Sequence, residues 1–257
     1  MPSQRAQAPS RAGAERLAEL ILESESTVAL TGAGISVPSG IPDFRTPGEG
    51  LWEKVDPMSV ATIDAFHRDP KRFWDFYRPR FHALADKTPN RAHEALAELE
   101  RRGLLDGVIT QNIDRLHAKA GSEQVIEVHG SIATASCTSC RARFELERVE
   151  SLFDADGVAV CPGCAGKVKP DVVLFGEVLP ADAMARAQAM CEDAGLLLCV
   201  GSSLEVYPVA GLPELTLRGG GTIAVVTKGP TSYDSEAAVR LEGDVVDELS
   251  AVLAALG

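Results

Sequence analysis

The chain has 257 residues, 45% hydrophobic and 24% charged, with a net charge of −12. That is an ordinary globular composition, large enough for one domain carrying a small insertion. Such acidity argues against nucleic acid as a partner, which needs a concentrated basic surface, and suits a lysine-rich one. No run nears the ~20 apolar residues of a membrane span.

In chain order, "MPSQRAQAPS" lacks the apolar core of a secretory signal and reads as a disordered tail over 1–10, which points to a cytoplasmic protein. Residues 12–24 form an amphipathic helix, with Ala14, Leu17 and Ile21 at helical spacing. "TVALTG" is a buried strand that ends in glycine. The segment 56–88 is helical and aromatic-rich. Asn90 caps a helix with Ala92, Ala95, Leu96 and Leu99 on one face, and Gly103 ends it.

"GVITQNID" and "QVIEVHG" are further strands. Alternation in the latter puts Ile126 and Val128 on one face and Glu127 and His129 on the other. After a helix over 182–194 come the apolar runs "LLLCVGSS" and "TIAVVT". A last helix, 244–256, aligns Val245, Leu249, Val252 and Leu256. Strands alternating with helices predict an α/β fold, a doubly wound parallel sheet. Two segments break the rhythm, 46–88 and 136–169. They are expected to form one small domain inserted into a larger one made of 11–45, 89–135 and 170–257.

Cys137, Cys140, Cys161 and Cys164 follow the pattern C-x2-C-x20-C-x2-C. Without a signal peptide, two such knuckles read as ligands of one tetrahedral zinc. Four thiolates complete the shell, so the zinc is structural; a catalytic zinc keeps a position open. Four basic residues against five acidic ones around the knuckles disfavour a DNA-reading ribbon. Cys191 and Cys199 stand in apolar contexts and read as core.

A parallel sheet binds ligands at the carboxyl ends of its strands. There stand "GAGIS", "QNID", "HG" and "GSS". Each alone is an ordinary turn motif; together they are expected to meet on one sheet edge. Gly32, Gly34 and Gly201 would admit a pyrophosphate to the backbone. Ser202 and Ser203 offer hydroxyls, Asn112 and Asp114 can bond a carboxamide, and His129 can act as a base near neutral pH.

The motifs "GAGIS…SGIPDFR", "TQNID", "HG", the paired C-x-x-C, "VVLFGE" and "GSSLEVYP", in this order, resemble the sirtuin family of NAD-dependent protein lysine deacylases. The resemblance runs from about residue 26 to the C-terminus. It implies a Rossmann-like domain with a small zinc-and-helix domain, and acylated-lysine proteins or peptides meeting NAD between them. It implies that Ala33 and Arg45 contact NAD, with Phe44 near the nicotinamide–ribose bond, Gln111 at that ribose, and Asn112, Ile113 and Asp114 lining the nicotinamide pocket. His129 and Asn112 are the candidate catalytic residues. Val173, Phe175, Gly176 and Val206 would flank the substrate backbone as strands do.

In the reaction the resemblance implies, the acyl-lysine carbonyl oxygen attacks the ribose carbon of NAD as nicotinamide leaves, His129 deprotonates a ribose hydroxyl that attacks the resulting imidate, and water releases the lysine. The products are nicotinamide, O-acyl-ADP-ribose and free lysine. Protein ADP-ribosyl transfer would use the same site. A hydride-transferring dehydrogenase would want a third glycine where Val37 stands, and Pro38 and Pro42 interrupt that region. A non-enzymatic scaffold would have no need of His129, Asn112 and Asp114.

Two positions particular to this chain stand out. Thr227 replaces the asparagine usual in the family's adenosine-side motif, so it donates one hydroxyl bond in place of an amide pair. Tyr77 and Arg80, thirteen and ten residues before Asn90, match the pair that holds the distal carboxylate of succinyl- or malonyl-lysine in desuccinylase-type sirtuins. At i and i+3 they would share a helix face. Lys169 stands where many relatives carry arginine; no role is assigned to it. A monomer is expected.

Overall fold

The computed structural model describes residues 10–43 and 55–257. Its elements in order are α1 (Arg11–Glu23), β1 (Thr27–Thr31), α2 (Pro57–Val60), α3 (Ile63–Arg68), α4 (Pro70–Ala85), α5 (Arg91–Arg101), β2 (Gly107–Thr110), α6 (Leu116–Ala120), β3 (Val125–Glu127), β4 (Gly130–Cys137), β5 (Arg143–Glu145), α7 (Leu146–Val149), β6 (Val168–Val172), α8 (Ala181–Asp193), β7 (Leu196–Val200), α9 (Leu212–Arg218), β8 (Thr222–Val226), β9 (Val239–Leu241) and α10 (Val245–Leu256).

Six strands form one parallel sheet in the order β3-β2-β1-β7-β8-β9. β1 is central, with Leu30 opposite Ile109 on one side and Cys199 on the other. Every residue of β1, β2 and β7 is buried. A strand covered on both faces has no polar side to alternate with, which is why these stretches read as continuous apolar runs. Leu17 and Ile21 of α1, Leu96 and Leu99 of α5 and Leu249 of α10 cover one face; Ala187 and Cys191 of α8 and Leu212 of α9 cover the other. The doubly wound expectation therefore holds. The strand order reverses between β1 and β7, so the ligand crevice of such a sheet opens beside the Gly32 loop.

The second sheet is antiparallel, β5-β4-β6, and carries the cysteines. It packs on the helices of 57–85 through Phe66, Phe73, Trp74 and Phe81, which share a core with Ile132, Val168 and Leu174. Trp74 Nε1–H donates to Val168 O at 3.3 Å. The described helices of 57–85 and the cysteine-bearing sheet thus share one core. Its sheet reaches beyond the expected boundaries: β4 starts at Gly130, and β6 runs to Val172. α4 continues through Pro79, which therefore does not end it.

Candidate active site

The Gly32 loop is shaped by close approach to the end of β7. Gly34 N–H donates to Gly201 O at 2.8 Å, and a Cβ at Gly34 would stand 2.7 Å from that oxygen. Gly201 sits at φ 61°, where a Cβ would lie 2.2 Å from Ile35 N. These glycines let two strand-end loops touch across the switch point. The chain next makes two short 3-10 turns, Ala33–Ile35 and Val37–Ser39, with Pro38 in the second. Among the described residues the strand runs into these 3-10 turns and not directly into an α-helix, and Val37, at the place of the third glycine of the dehydrogenase pattern, stands exposed. Phe44 and Arg45 lie outside the described residues.

The end of β2 lies beside this loop in an ordered chain of hydrogen bonds. Asn112 Nδ2 donates to Gly32 O at 3.0 Å and to Ser36 Oγ at 3.2 Å. Ser36 in turn donates to Asp114 Oδ2 at 2.7 Å, and Leu116 N–H donates to Asp114 Oδ1 at 2.9 Å. Both amide protons of Asn112 are thereby used, so its Oδ1 is what it offers a ligand. Burial pushes the Asp114 carboxyl above its usual range, against the hydrogen bonds from Leu116 and Ser36. Gln111 Nε2 reaches Ser202 Oγ at 2.9 Å, which joins the β2 and β7 ends. Ile113 lies on the aromatic core of the small module, and Ile132 N–H donates to its carbonyl at 3.2 Å.

Sequence reasoning missed the residues behind this chain. Asn90 N–H donates to His93 Nδ1 at 3.4 Å, so His93 Nε2 carries its proton toward Ser36 Oγ, also 3.4 Å away. His117 Nε2 lies 2.9 Å from Thr31 Oγ1, and the two imidazoles stand 4.9 Å apart. Burial lowers His93 to about 4 and His117 to about 3, so both are neutral. The signals are slight: one is a serine after "GAGI", the others single histidines in helices, which sequence alone does not distinguish from core residues.

His129 stands between the two sheets, after β3 and before β4. Its Nδ1 is 3.0 Å from Gln111 O. A carbonyl only accepts, so Nδ1 carries the proton and Nε2 presents its lone pair. Burial lowers the His129 pKa, opposed by that hydrogen bond, and the ring is neutral near pH 7. Gly130 follows at φ 74°; a Cβ there would stand 2.0 Å from Asp171 O. The backbone must pass this close to β6 for the histidine to sit at the junction. His129 O then accepts Val173 N–H at 2.8 Å, which ties the histidine to the run Val173–Gly176.

The remaining residues group differently. Phe175 N–H donates to Ala61 O at 2.9 Å and its carbonyl accepts from Ile63 N–H at 3.1 Å, so its peptide groups are spent within the fold. The Val206 carbonyl accepts from Ala210 N–H at 2.9 Å. Thr227 is buried at the end of β8, its N–H bonded to Leu241 O at 3.0 Å. Ser203 is exposed and Ala33 half-buried. Tyr77 lies between Phe73 and Phe81, at centroid distances of 4.5 and 5.3 Å. Arg80 instead lies over Phe76, 3.6 Å from its ring centre, and bonds the Phe76 carbonyl. The Tyr77 ring thus lies in the aromatic stack and the Arg80 guanidinium over Phe76.

The four cysteine sulfurs all lie within 4.8 Å of one another, with Cys137–Cys164 at 3.4 Å and Cys140–Cys161 at 3.7 Å. Tetrahedral ligands ~2.3 Å from a zinc would be about 3.8 Å apart. The backbone N–H groups of Ser139 and Cys140 point at Cys137 Sγ, at 3.4 and 3.5 Å, and support thiolate charge. The set fits one structural zinc.

A doubly wound sheet with glycine, asparagine, aspartate and histidine gathered on one edge, bridged to a four-cysteine module, defines a nucleotide-using enzyme with a structural metal. The Sir2 family model matches residues 32–208. An NAD-dependent protein deacetylase of Thermotoga maritima is 43% identical over 229 residues, 89% of this chain and 92% of the relative. NAD-dependent protein deacylase 1 of Archaeoglobus fulgidus is 42% identical over 91% of this chain and 96% of its own. A solved complex of Sir2 with p53 peptide and NAD+ superposes with a TM-score of 0.85 at 40% identity, covering 93% of this chain and 96% of that one. The chain belongs to the Sir2 family.

Proposed function

We propose that the chain is an NAD-dependent protein lysine deacylase with His129 as general base. The observation that carries the assignment of the base is the bond from His129 Nδ1–H to Gln111 O, which leaves Nε2 unprotonated at the mouth of the strand-end site. The names of the relatives support the reaction, and a Sir2 structure with a propionylated peptide supports acyl groups beyond acetyl in the family.

NAD would supply the ribose carbon that the acyl oxygen attacks, the nicotinamide that leaves and the ribose hydroxyl that takes the acyl group, with water completing the release of lysine. Gly32, Ala33, Gly34, Gly201, Ser202 and Ser203 line the phosphate side, and Gln111 and Asn112 the nicotinamide ribose. Asp114 and Ile113 close the pocket for the nicotinamide. Thr227 serves the adenosine ribose. His129 Nε2 takes the proton from a ribose hydroxyl. The Val173 carbonyl and Gly176, with Val206 opposite, pair with the substrate backbone. The acyl group is acetyl, with succinyl or malonyl as the alternative that Tyr77 and Arg80 would serve; Arg80 lies over Phe76, which favours the uncharged group.

The enzyme acts as a monomer in the cytoplasm, on protein lysines and not on nucleic acid. Its acidic surface supports a basic substrate. Among the described residues no helix is long and apolar enough to cross a membrane.

The test incubates the protein with NAD and an acetyl-lysine peptide. Nicotinamide and free lysine should appear together, with no reduced nicotinamide. Nicotinamide release with ADP-ribose left on protein would favour ADP-ribosyl transfer. Reduced nicotinamide would overturn the reading.

A further inference from the structure

Lys169 has no task in the chemistry above, yet it is built into the fold. It is the second residue of β6, and its side chain is only 13% exposed. Its Nζ donates to Pro170 O at 3.0 Å and to Val172 O at 2.8 Å, and it pairs with Glu177 Oε2 at 3.0 Å. An ammonium has three donors and no acceptor, so all three are engaged. Glu177 Oε2 also accepts Leu174 N–H at 2.9 Å, and Glu177 N–H donates back to Leu174 O at 3.0 Å. Residues 174–177 therefore form a closed turn, with Gly176 at φ 88°.

The hydrogen-bond and ion-pair partners of the Lys169 ammonium all lie within residues 170–177. It gathers the last carbonyls of β6 and the carboxylate that closes the next turn, on either side of Val173. His129 O holds Val173 from the other side. A cavity of about 250 Å³, lined in part by Arg141, Asp171 and Val178, opens beside the pair. A shortened side chain at 169 would admit water there, and the carbonyls would keep hydrogen-bond partners while losing their fixed position.

We propose that Lys169, through Glu177, is a positioning residue for the peptide substrate. It holds the Val173–Gly176 backbone in the geometry with which an acyl-lysine strand pairs. The inference rests on the deacylase reading, which places the substrate on this run. Lysine suits the task because three bonds converge on one nitrogen; the planar guanidinium of arginine keeps the charge but spreads its donors.

The experiment measures deacylation by Lys169→Met, Lys169→Arg and Glu177→Gln with acetyl-lysine peptide and NAD varied separately. Lys169→Met should raise the peptide KM about tenfold, the scale of one hydrogen bond lost from substrate pairing, with kcat and the NAD KM within about twofold, a pattern that marks lost binding common to ground and transition states. Lys169→Arg should recover most of the loss. Glu177→Gln, which keeps an oxygen for Leu174 N–H, should move the peptide KM in the same direction by less. An unchanged peptide KM in folded Lys169→Met would overturn the proposal, as would equal increases in both KM values. If Lys169→Met does not fold, Glu177→Gln decides alone, and an unchanged peptide KM there overturns it. Absence of NAD-dependent deacylation in the unmodified protein would instead sink the functional reading on which the proposal stands.

Discussion

The six-stranded and the three-stranded sheet are stabilised by different means. The large one is covered on both faces by helices, and its central strands β1 and β7 are buried throughout. Each fully buried Leu, Ile or Val contributes ~1.5–3 kcal/mol, so this sheet needs nothing beyond its own side chains. The small one has strands such as β5, with one buried residue between two exposed ones. One side leans on Phe73 and Trp74 and the far end on four cysteines. The difference teaches where metal is needed: a short, half-covered sheet lacks the apolar area that the larger one has. His129 lies in the crossing from one sheet to the other. With His129 as the proposed base, catalysis would depend on both being in place.

Loss of the metal gives the sharpest separation. Cys161→Ala should abolish zinc retention and deacylation together, since structural zinc is worth ~10 kcal/mol or more of local folding. Hydrogen exchange should show lost protection in β4–β6, with β1 and β7 still protected. A zinc-free variant that kept both its activity and the protection of β4 would show that the small sheet stands without metal.

His129→Ala acts at the crossing and leaves both sheets intact. Turnover should fall ~10²–10⁴-fold, the usual worth of a general base, with metal content and melting temperature near those of the parent. The parent's pH profile gives an independent check. Burial lowers the His129 pKa below 6.5, and only the neutral ring accepts a proton. Activity should thus be level above pH 6.5 and decline as pH falls through that lowered value. A profile that rose steeply between pH 7 and 9 would assign the base to another group.

The smallest effect concerns the outer edge of the large sheet. Around Asn112 and Asp114 the polar groups are buried and bonded to one another. Beside Thr227, exposed Lys228 pairs with half-buried Asp244 at 2.8 Å. Thr227→Asn should lower the NAD KM about two- to tenfold, from one added hydrogen bond of ~0.5–1.5 kcal/mol, and leave the peptide KM alone. A higher NAD KM would mean that the threonine is already matched to its ligand.

Much of the large sheet was legible because its signals are local. "TVALT", "GVIT", "LLLCV" and "TIAVV" are runs that two-sided burial requires, and Asn90, Gly103 and Asp244 mark helix ends. β9 was not legible: three residues, Val239–Leu241, carry no period to read. The strands of the small sheet were hidden for a related reason, since β4 and β6 alternate under a single cover and their pairing spans more than thirty residues of chain. In the site, Asn112, Asp114 and His129 were visible as polar residues at strand ends. Ser36, His93 and His117 were not, because a neutral buried histidine looks the same in sequence as one that only fills space. The spacing puts Tyr77 and Arg80 on one helix, but spacing does not choose a rotamer, and the structure lays Arg80 over Phe76.

The sequence by itself determined the class of fold, the metal ligands and the family, because hydrophobic period, cysteine spacing and contiguous motifs are written over a few neighbouring residues. Only the tertiary structure decided which proton His129 carries, which amide hydrogens Asn112 has left, and what Lys169 holds. Those depend on carbonyls and carboxylates brought in from other elements or turned back along the same one. Hydrogen bonds have direction and reach of about 3 Å, and no count along the chain supplies either.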